Sequence, residues 1–149
     1  WVKKIENADS GIDESVVQAV DYEKVLGLDT IDCFYRFSEK VEQSKIDLRR
    51  FLFRCAEQNK KVISYGATSK STTVFNYCDI GTDLIQYITD TTPEKQNKYS
   101  PGTHIPIVSP EENGDFDFAF LGAWNFADEI KKNEVGKKFI THVPTVRVI

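Results

Sequence analysis

The 149-residue sequence contains no methionine, only two histidines and three cysteines, and no long apolar run. Its cysteines, Cys33, Cys55 and Cys78, lie far apart, and together with His104 and His142 they form no zinc-binding spacing. No segment approaches the roughly 20 apolar residues that a membrane-spanning helix needs. We therefore expect no metal site and no membrane span, and we interpret the cysteines as reduced thiols of a cytoplasmic protein.

A concentration of basic charge is also missing. Lysine and arginine number 19 against 23 acidic residues, which gives a net charge of −4, and the basic residues are dispersed along the chain. Binding to the phosphate backbone of a nucleic acid requires a basic patch or stripe. The sequence therefore predicts no nucleic-acid partner.

Regular patterns of apolar residues predict the fold. Residues 15–28 form a possible short helix that ends at Gly27, and residues 33–59 have the three-, four- and seven-residue spacing of an amphipathic helix. The core face expected for this second helix consists of Phe34, Phe37, Val41, Leu48, Leu52 and Cys55.

Strands and helices alternate beyond residue 60. Strands are predicted at residues 62–65, 84–89, 105–108, 117–122, 138–143 and 146–149, and helices at residues 72–79 and 125–135. This alternation is typical of an α/β protein with an open, mostly parallel, Rossmann-like sheet and helices on both faces. We predict that residues 33–149 form this domain. Residues 1–32 are predicted to be a partly helical connector from a preceding domain, because a sequence that starts at Trp1 without methionine indicates part of a longer polypeptide.

The loop from Gly66 to Ser71 follows the first strand of this domain and is a candidate phosphate site. Gly66 permits a sharp turn, and backbone N–H groups at the start of the next helix attract anions. Lys70 adds a positive charge, and Ser69 or Ser71 is expected to cap the helix. The loop matches neither the Walker A motif nor the GxGxxG fingerprint, so an ordinary capped turn remains the alternative.

A second polar loop follows the strand that ends near residue 89. Asp90 lies where many dinucleotide-binding domains place a carboxylate that binds ribose, but it could equally cap a short helix. Further along this loop, His104 could act as a general acid or base, although a structural hydrogen bond is the stronger expectation. Asn125, after the most apolar strand, is expected to cap the last helix.

Four segments resemble a known family. They read YGATSKSTTVFNYCDIG from Tyr65, ITDTTPEKQNKYSPGTHIPIVSPEE from Ile88, AWNFADEI from Ala123, and FITHVPTVRVI at the C-terminus. Over residues 22–149 the chain resembles the C-terminal domain of sugar C-methyltransferases, SAM-dependent enzymes that methylate carbon 3 of a nucleotide-linked keto-deoxysugar. It departs from that pattern at Ser71, where the family often has glycine.

The resemblance implies a substrate-binding domain of an enzyme whose catalytic and SAM-binding groups lie elsewhere. In the family a zinc-binding domain and a central SAM-binding domain come first, and this sequence has neither a SAM loop nor a cysteine cluster. The chain alone is thus expected to be inactive, to bind no cofactor, and to help hold the nucleotide-sugar against the preceding SAM-binding domain. The candidate substrate-binding residues are Gly66, Thr68, Ser69, Lys70, Ser71, Asn76, Thr91, Thr92, Lys95, His104, Trp124 and Asn125.

Two other functions stay open. A docking module without its own ligand would have large apolar patches at the mouth of the crevice. An NAD-dependent Rossmann oxidoreductase is the other alternative, and the missing glycine fingerprint argues against it.

Overall fold

The computed structural model of this protein describes residues 11–149. The chain divides into two units with their boundary between Val41 and Glu42. The first unit contains helix α1 (Glu14–Val25) and the beginning of helix α2 (Ile31–Glu57), which continues into the second unit. The helices predicted at residues 15–28 and 33–59 are therefore confirmed. Residues 1–10 of the predicted connector lie outside the described residues.

The second unit is built on a seven-stranded sheet in the order β3-β4-β2-β1-β5-β6-β7. The five central strands are parallel, and β3 and β7 are antiparallel to their neighbours at the two edges. The order of the parallel strands is that of a Rossmann fold, which confirms the predicted fold class. The strands are β1 (Val62–Tyr65), β2 (Ile88–Thr89), β3 (Lys98–Tyr99), β4 (Pro106–Val108), β5 (Phe118–Leu121), β6 (Phe139–Thr141) and β7 (Arg147–Val148).

Alternating side chains of the central strands supply two apolar layers. On one face, Phe120 packs with Leu52 of α2 and Phe75 of α3 (Ser69–Cys78). On the opposite face, Leu121 and its neighbours pack with Ile130 of α4 (Ala127–Asn133). Strands covered on both faces need apolar side chains at nearly every position, which is why β5 reads FAFL.

Some predicted boundaries were wrong. The strand expected at residues 84–89 is limited to β2, because the N–H groups of Leu84 and Ile85 both donate to the carbonyl of Gly81 in a turn. The short antiparallel strand β3 was not predicted, since its two exposed residues have no apolar periodicity. In α2, Leu48, Leu52 and Cys55 are buried as expected, but Phe34 and Phe37 are exposed.

Candidate functional site

The order of the strands reverses between β1 and β5, and this is where open α/β sheets bind their ligands. From the carboxyl end of β1 the chain enters α3, which packs on one face of the sheet, whereas from β5 it continues to α4 on the other face. We call the space between residues 66–71 and residues 122–126 the crossover crevice. Five of the predicted site residues belong to the first of these segments and two to the second.

The start of α3 is fixed by a capping box. Ser71 N–H donates to Thr68 Oγ1 at 3.0 Å, and Thr68 N–H donates to Ser71 Oγ at 3.1 Å. The cap is therefore Thr68 rather than Ser69 or Ser71, and the helix begins three residues earlier than predicted. The Ser71 hydroxyl is buried in this turn. Among the described residues, the N–H groups of Ser69 and Lys70 have no protein acceptor, so they remain available to an anion.

Lys70 connects the two sides of the crossover crevice. Its Nζ donates to Asn125 Oδ1 at 2.7 Å and lies 4.7 Å from the centroid of the Trp124 ring. Both contacts are favourable for an ammonium group, and the second has cation–π geometry. An exposed lysine, an aromatic ring and an amide thus converge from two loops that are 55 residues apart in the sequence.

Asn125 is not a helix cap, in contrast to the prediction. It lies inside a 3-10 turn, Trp124–Phe126, and α4 begins after this turn with no side-chain cap. Its amide oxygen accepts from Lys70 instead. A cap requires the residue immediately before the first helical turn, and the 3-10 turn moves that position to Phe126.

His142 lies next to Trp124 and was not predicted as a site residue. Its ring stacks on Phe120 with centroids 5.4 Å apart and meets the Trp124 ring edge-on at 5.3 Å. It is 8% exposed, and burial lowers the pKa of its imidazole below the usual 6.5. The sequence contained a usable signal, because His142 directly follows the buried strand β6.

A cavity of about 540 Å³ opens beside Trp124, between α4 and β7. Lys131 and Arg147 line it, and neither forms an ion pair within residues 11–149. Thr141, which is 2% exposed, is also part of the lining. With Asp128 also in its lining, the cavity offers two basic side chains, one carboxylate and an aromatic ring next to the crossover crevice.

Asp90 holds the loop between β1 and α3 in place. Its carboxylate accepts from Ala67 N–H at 2.7 Å, from Thr92 N–H at 2.8 Å and from Lys95 Nζ at 3.1 Å. Burial alone would raise the pKa of this carboxyl, but the hydrogen bonds from Thr92, Ala67 and Lys95 outweigh burial and lower it. Three donors of the protein thus engage the Asp90 carboxylate, and its main visible role is to support this loop.

Four predicted residues gather around a second cavity, of about 370 Å³, at the ends of β1 and β2. They are Gly66, Thr91, Thr92 and Lys95. Here Tyr65 donates to Glu134 at 2.9 Å, and burial together with this carboxylate raises the pKa of Tyr65 to about 12. Lys95 Nζ also donates to the carbonyl of Ala67 at 2.9 Å, so its charge supports the loop.

Asn76 and His104 are placed apart from the crossover crevice. Asn76 Nδ2 donates to the carbonyls of Thr72 and Pro101, at 2.8 and 3.0 Å, and thereby joins α3 to a tight turn. His104 is exposed in that turn with a φ of 53°, and its backbone N–H donates to the carbonyl of Ser100.

The part of the chain that the structure describes contains neither a cluster of metal-ligating side chains nor a membrane-spanning helix. No three His, Cys, Asp or Glu side chains come together there as metal ligands would. None of its helices combines the length and the apolar character needed to cross a bilayer.

The strand order and its reversal between β1 and β5 define a Rossmann-type α/β domain. The family model for the C-terminal domain of C-methyltransferases matches residues 1–144, and the chain belongs to this family. It is 32% identical over 149 residues to C-methyltransferase NovU of Streptomyces niveus. This match covers 95% of the chain but 36% of NovU, so the chain spans about a third of the length of this curated relative.

Proposed function

We propose that this domain helps to hold a nucleotide-linked keto-deoxysugar in a SAM-dependent C-methyltransferase. The substrate's diphosphate would lie in the crossover crevice against Lys70 and the free N–H groups at the start of α3. SAM and the catalytic base would be supplied by another domain of the same polypeptide. The buried positions of Cys55 and Cys78, neither of which forms a disulfide, support the cytoplasmic location we propose for the enzyme.

The position of Lys70 is the observation that carries this proposal. Its ammonium is exposed, it pairs with no carboxylate of residues 11–149, and it is held by a neutral amide and an aromatic ring. An anionic ligand could therefore form a charge-assisted hydrogen bond with it. The adjacent cavity has room for a further part of a nucleotide-sugar, and its lining carries two basic side chains, Lys131 and Arg147, against one carboxylate, Asp128.

The same geometry disfavours SAM or NAD as the ligand of this chain. Both would place a ribose at the end of β2, where an acidic residue accepts from its hydroxyls. Asp90 is the acid at this position, and its carboxylate is already occupied by Ala67, Thr92 and Lys95. Asp90 and its three donors therefore do not fit the ribose of NAD or of SAM. We assign no step that involves SAM to residues of this chain.

The docking-module alternative predicts large apolar patches at the crevice mouth. Of the large apolar side chains exposed between residues 12 and 149, most lie in residues 12–37. Phe126 and Val143 are exposed beside the crevice. Because few large apolar side chains are exposed beside the crevice, this distribution favours a ligand in the crevice over a docking module.

The test is Lys70→Ala in the full polypeptide, with Lys132→Ala, an exposed lysine of α4, as the matched control. Losing a charge-assisted hydrogen bond to the diphosphate should weaken binding of a nucleoside diphosphate-sugar by about 1–3 kcal/mol. Isothermal calorimetry with a panel of such sugars should therefore show a dissociation constant at least about fivefold higher for Lys70→Ala. The control should match the wild type.

Two results would contradict the proposal. One is unchanged binding and kinetics of Lys70→Ala with a lowered melting temperature, which would make the loop structural. The other is a thermal shift of this chain with NADH and none with any nucleoside diphosphate-sugar.

A further inference from the structure

Helix α2 has an apolar stripe that is interrupted only at Ser44–Lys45, and the environment of this stripe changes along the helix. Leu48 and Leu52 are 1% and 0% exposed and belong to the core of the second unit. Phe34 and Phe37 continue the same stripe at helical spacing and are 62% and 65% exposed. An amphipathic pattern that continues beyond the domain core indicates that its exposed part also packs against protein.

Helix α1 and the turn after it add to this exposed apolar surface. No residue of α1 is buried, although Val16, Val17 and Val20 recur on one side of the helix. Of the 20 large apolar residues that are exposed in the described chain, 12 lie between Ile12 and Phe37. Single exposed apolar residues are ordinary, but such a concentration marks an interaction surface.

The net negative charge of residues 11–41 excludes some classes of partner for this surface. Residues 11–41 contain seven acidic and three basic side chains. An acidic segment is repelled by nucleic acid and by anionic lipid surfaces. The remaining class of partner is another protein surface, either from the same polypeptide or from a second copy.

We propose that the apolar side chains of residues 12–37, which we call the helical surface, dock on the part of the same polypeptide that precedes them. The family model describes a C-terminal domain, and the relative NovU is nearly three times as long as its matched region. The helical surface precedes the α/β unit in the sequence, as a domain joined at its N-terminus would. Residues 12–32, which the sequence predicts to be a connector, thus take part in an interdomain interface. The proposal is independent of the ligand assigned to the crossover crevice.

Hydrogen exchange, without any ligand, tests the proposal in two samples: the full polypeptide and the 149-residue chain alone. Backbone amides of residues 31–41 should exchange at least tenfold more slowly in the full polypeptide, because docking suppresses local opening. The double variant Phe34→Gln/Phe37→Gln should abolish this difference. The matched control Arg36→Gln/Lys40→Gln, on the polar side of the same helix, should retain it.

Hydrogen exchange of β1 and β5 in the same spectra reports whether each variant still folds. Sedimentation of both samples shows whether the helical surface contacts the same polypeptide or a second copy of the chain. Monomeric full polypeptide with protected residues 31–41 supports the proposal. Equal exchange in the two samples overturns it. A dimer in both samples that Phe34→Gln/Phe37→Gln dissociates also overturns it, since the helical surface would then join two copies of the chain.

Discussion

At the scale of single residues, the environment of His142 has a consequence for pH dependence. The ring is buried between Phe120 and Trp124, its Nδ1 has no hydrogen-bond partner among the described residues, and burial lowers its pKa. The unfolded chain, with a pKa near 6.5, then binds a proton more readily than the folded protein. Neutral His142 therefore contributes to the free energy of unfolding above pH 6.5. This contribution is lost as the pH falls towards the pKa of His142 in the folded protein.

We therefore predict that the free energy of unfolding decreases between pH 7 and pH 5. Urea denaturation at several pH values measures this slope, and His142→Asn should make it shallower. His104→Asn is the control, because asparagine tolerates the positive φ of this exposed position. Identical slopes for the wild type and His142→Asn would contradict the assignment.

Residue identity alone predicted part of the candidate site. Lys70, Trp124 and Asn125 were assigned to one crevice, because loops that follow parallel strands meet at the same end of a sheet. The capping role of Asn125 could not be excluded from the sequence, since the 3-10 turn before α4 moves the cap position by one residue, to Phe126. The partners of Asp90 were also hidden, because one of its donors is the backbone of Ala67, 23 residues away.

At the scale of secondary structure elements, Gly122 determines how closely β5 and α3 approach. A Cβ atom at this position would lie 2.8 Å from Ser71 Cβ and 3.1 Å from Ser71 N. We predict that Gly122→Ala destabilises the chain by about 1–3 kcal/mol through overpacking against the capping box. It should also weaken binding of the nucleoside diphosphate-sugar, because the loop with Trp124 and Asn125 must shift.

Gly114→Ala is the control for this prediction, since a Cβ there meets no atom within 4 Å. Chemical denaturation and calorimetry of both variants provide the comparison. Equal stability of Gly122→Ala and Gly114→Ala would show that strand β5 and helix α3 can move apart without loss of stability, contrary to the prediction.

The elements that were predicted well are those with strong periodicity. Helix α2 and strands β1 and β5 were predicted within two residues, because each buries a repeating set of apolar side chains. Helix α3 was placed three residues late, since its cap depends on which of several adjacent hydroxyls adopts extended backbone geometry. Tertiary packing decides that choice, and a local pattern does not encode it.

At the scale of the whole molecule, the chain belongs to the family of C-terminal domains of C-methyltransferases. We predict that the 149-residue chain alone transfers no methyl group from labelled SAM and shows no SAM binding by calorimetry. The physical reason is that the Asp90 carboxylate at the end of β2 already accepts from Ala67, Thr92 and Lys95. Saturable binding in the micromolar range would contradict the assignment of SAM to another domain.

The two edges of the sheet limit how this protein can assemble. β3 and β7 each contain two exposed residues, and each includes a basic side chain, Lys98 or Arg147. Short edge strands with charged side chains give an incoming strand few backbone groups to pair with. Extension of the sheet by strand addition is therefore disfavoured at both ends. Stable association with another protein surface must then involve helices or loops, which leaves the sheet free of the edge-to-edge pairing that leads to aggregation.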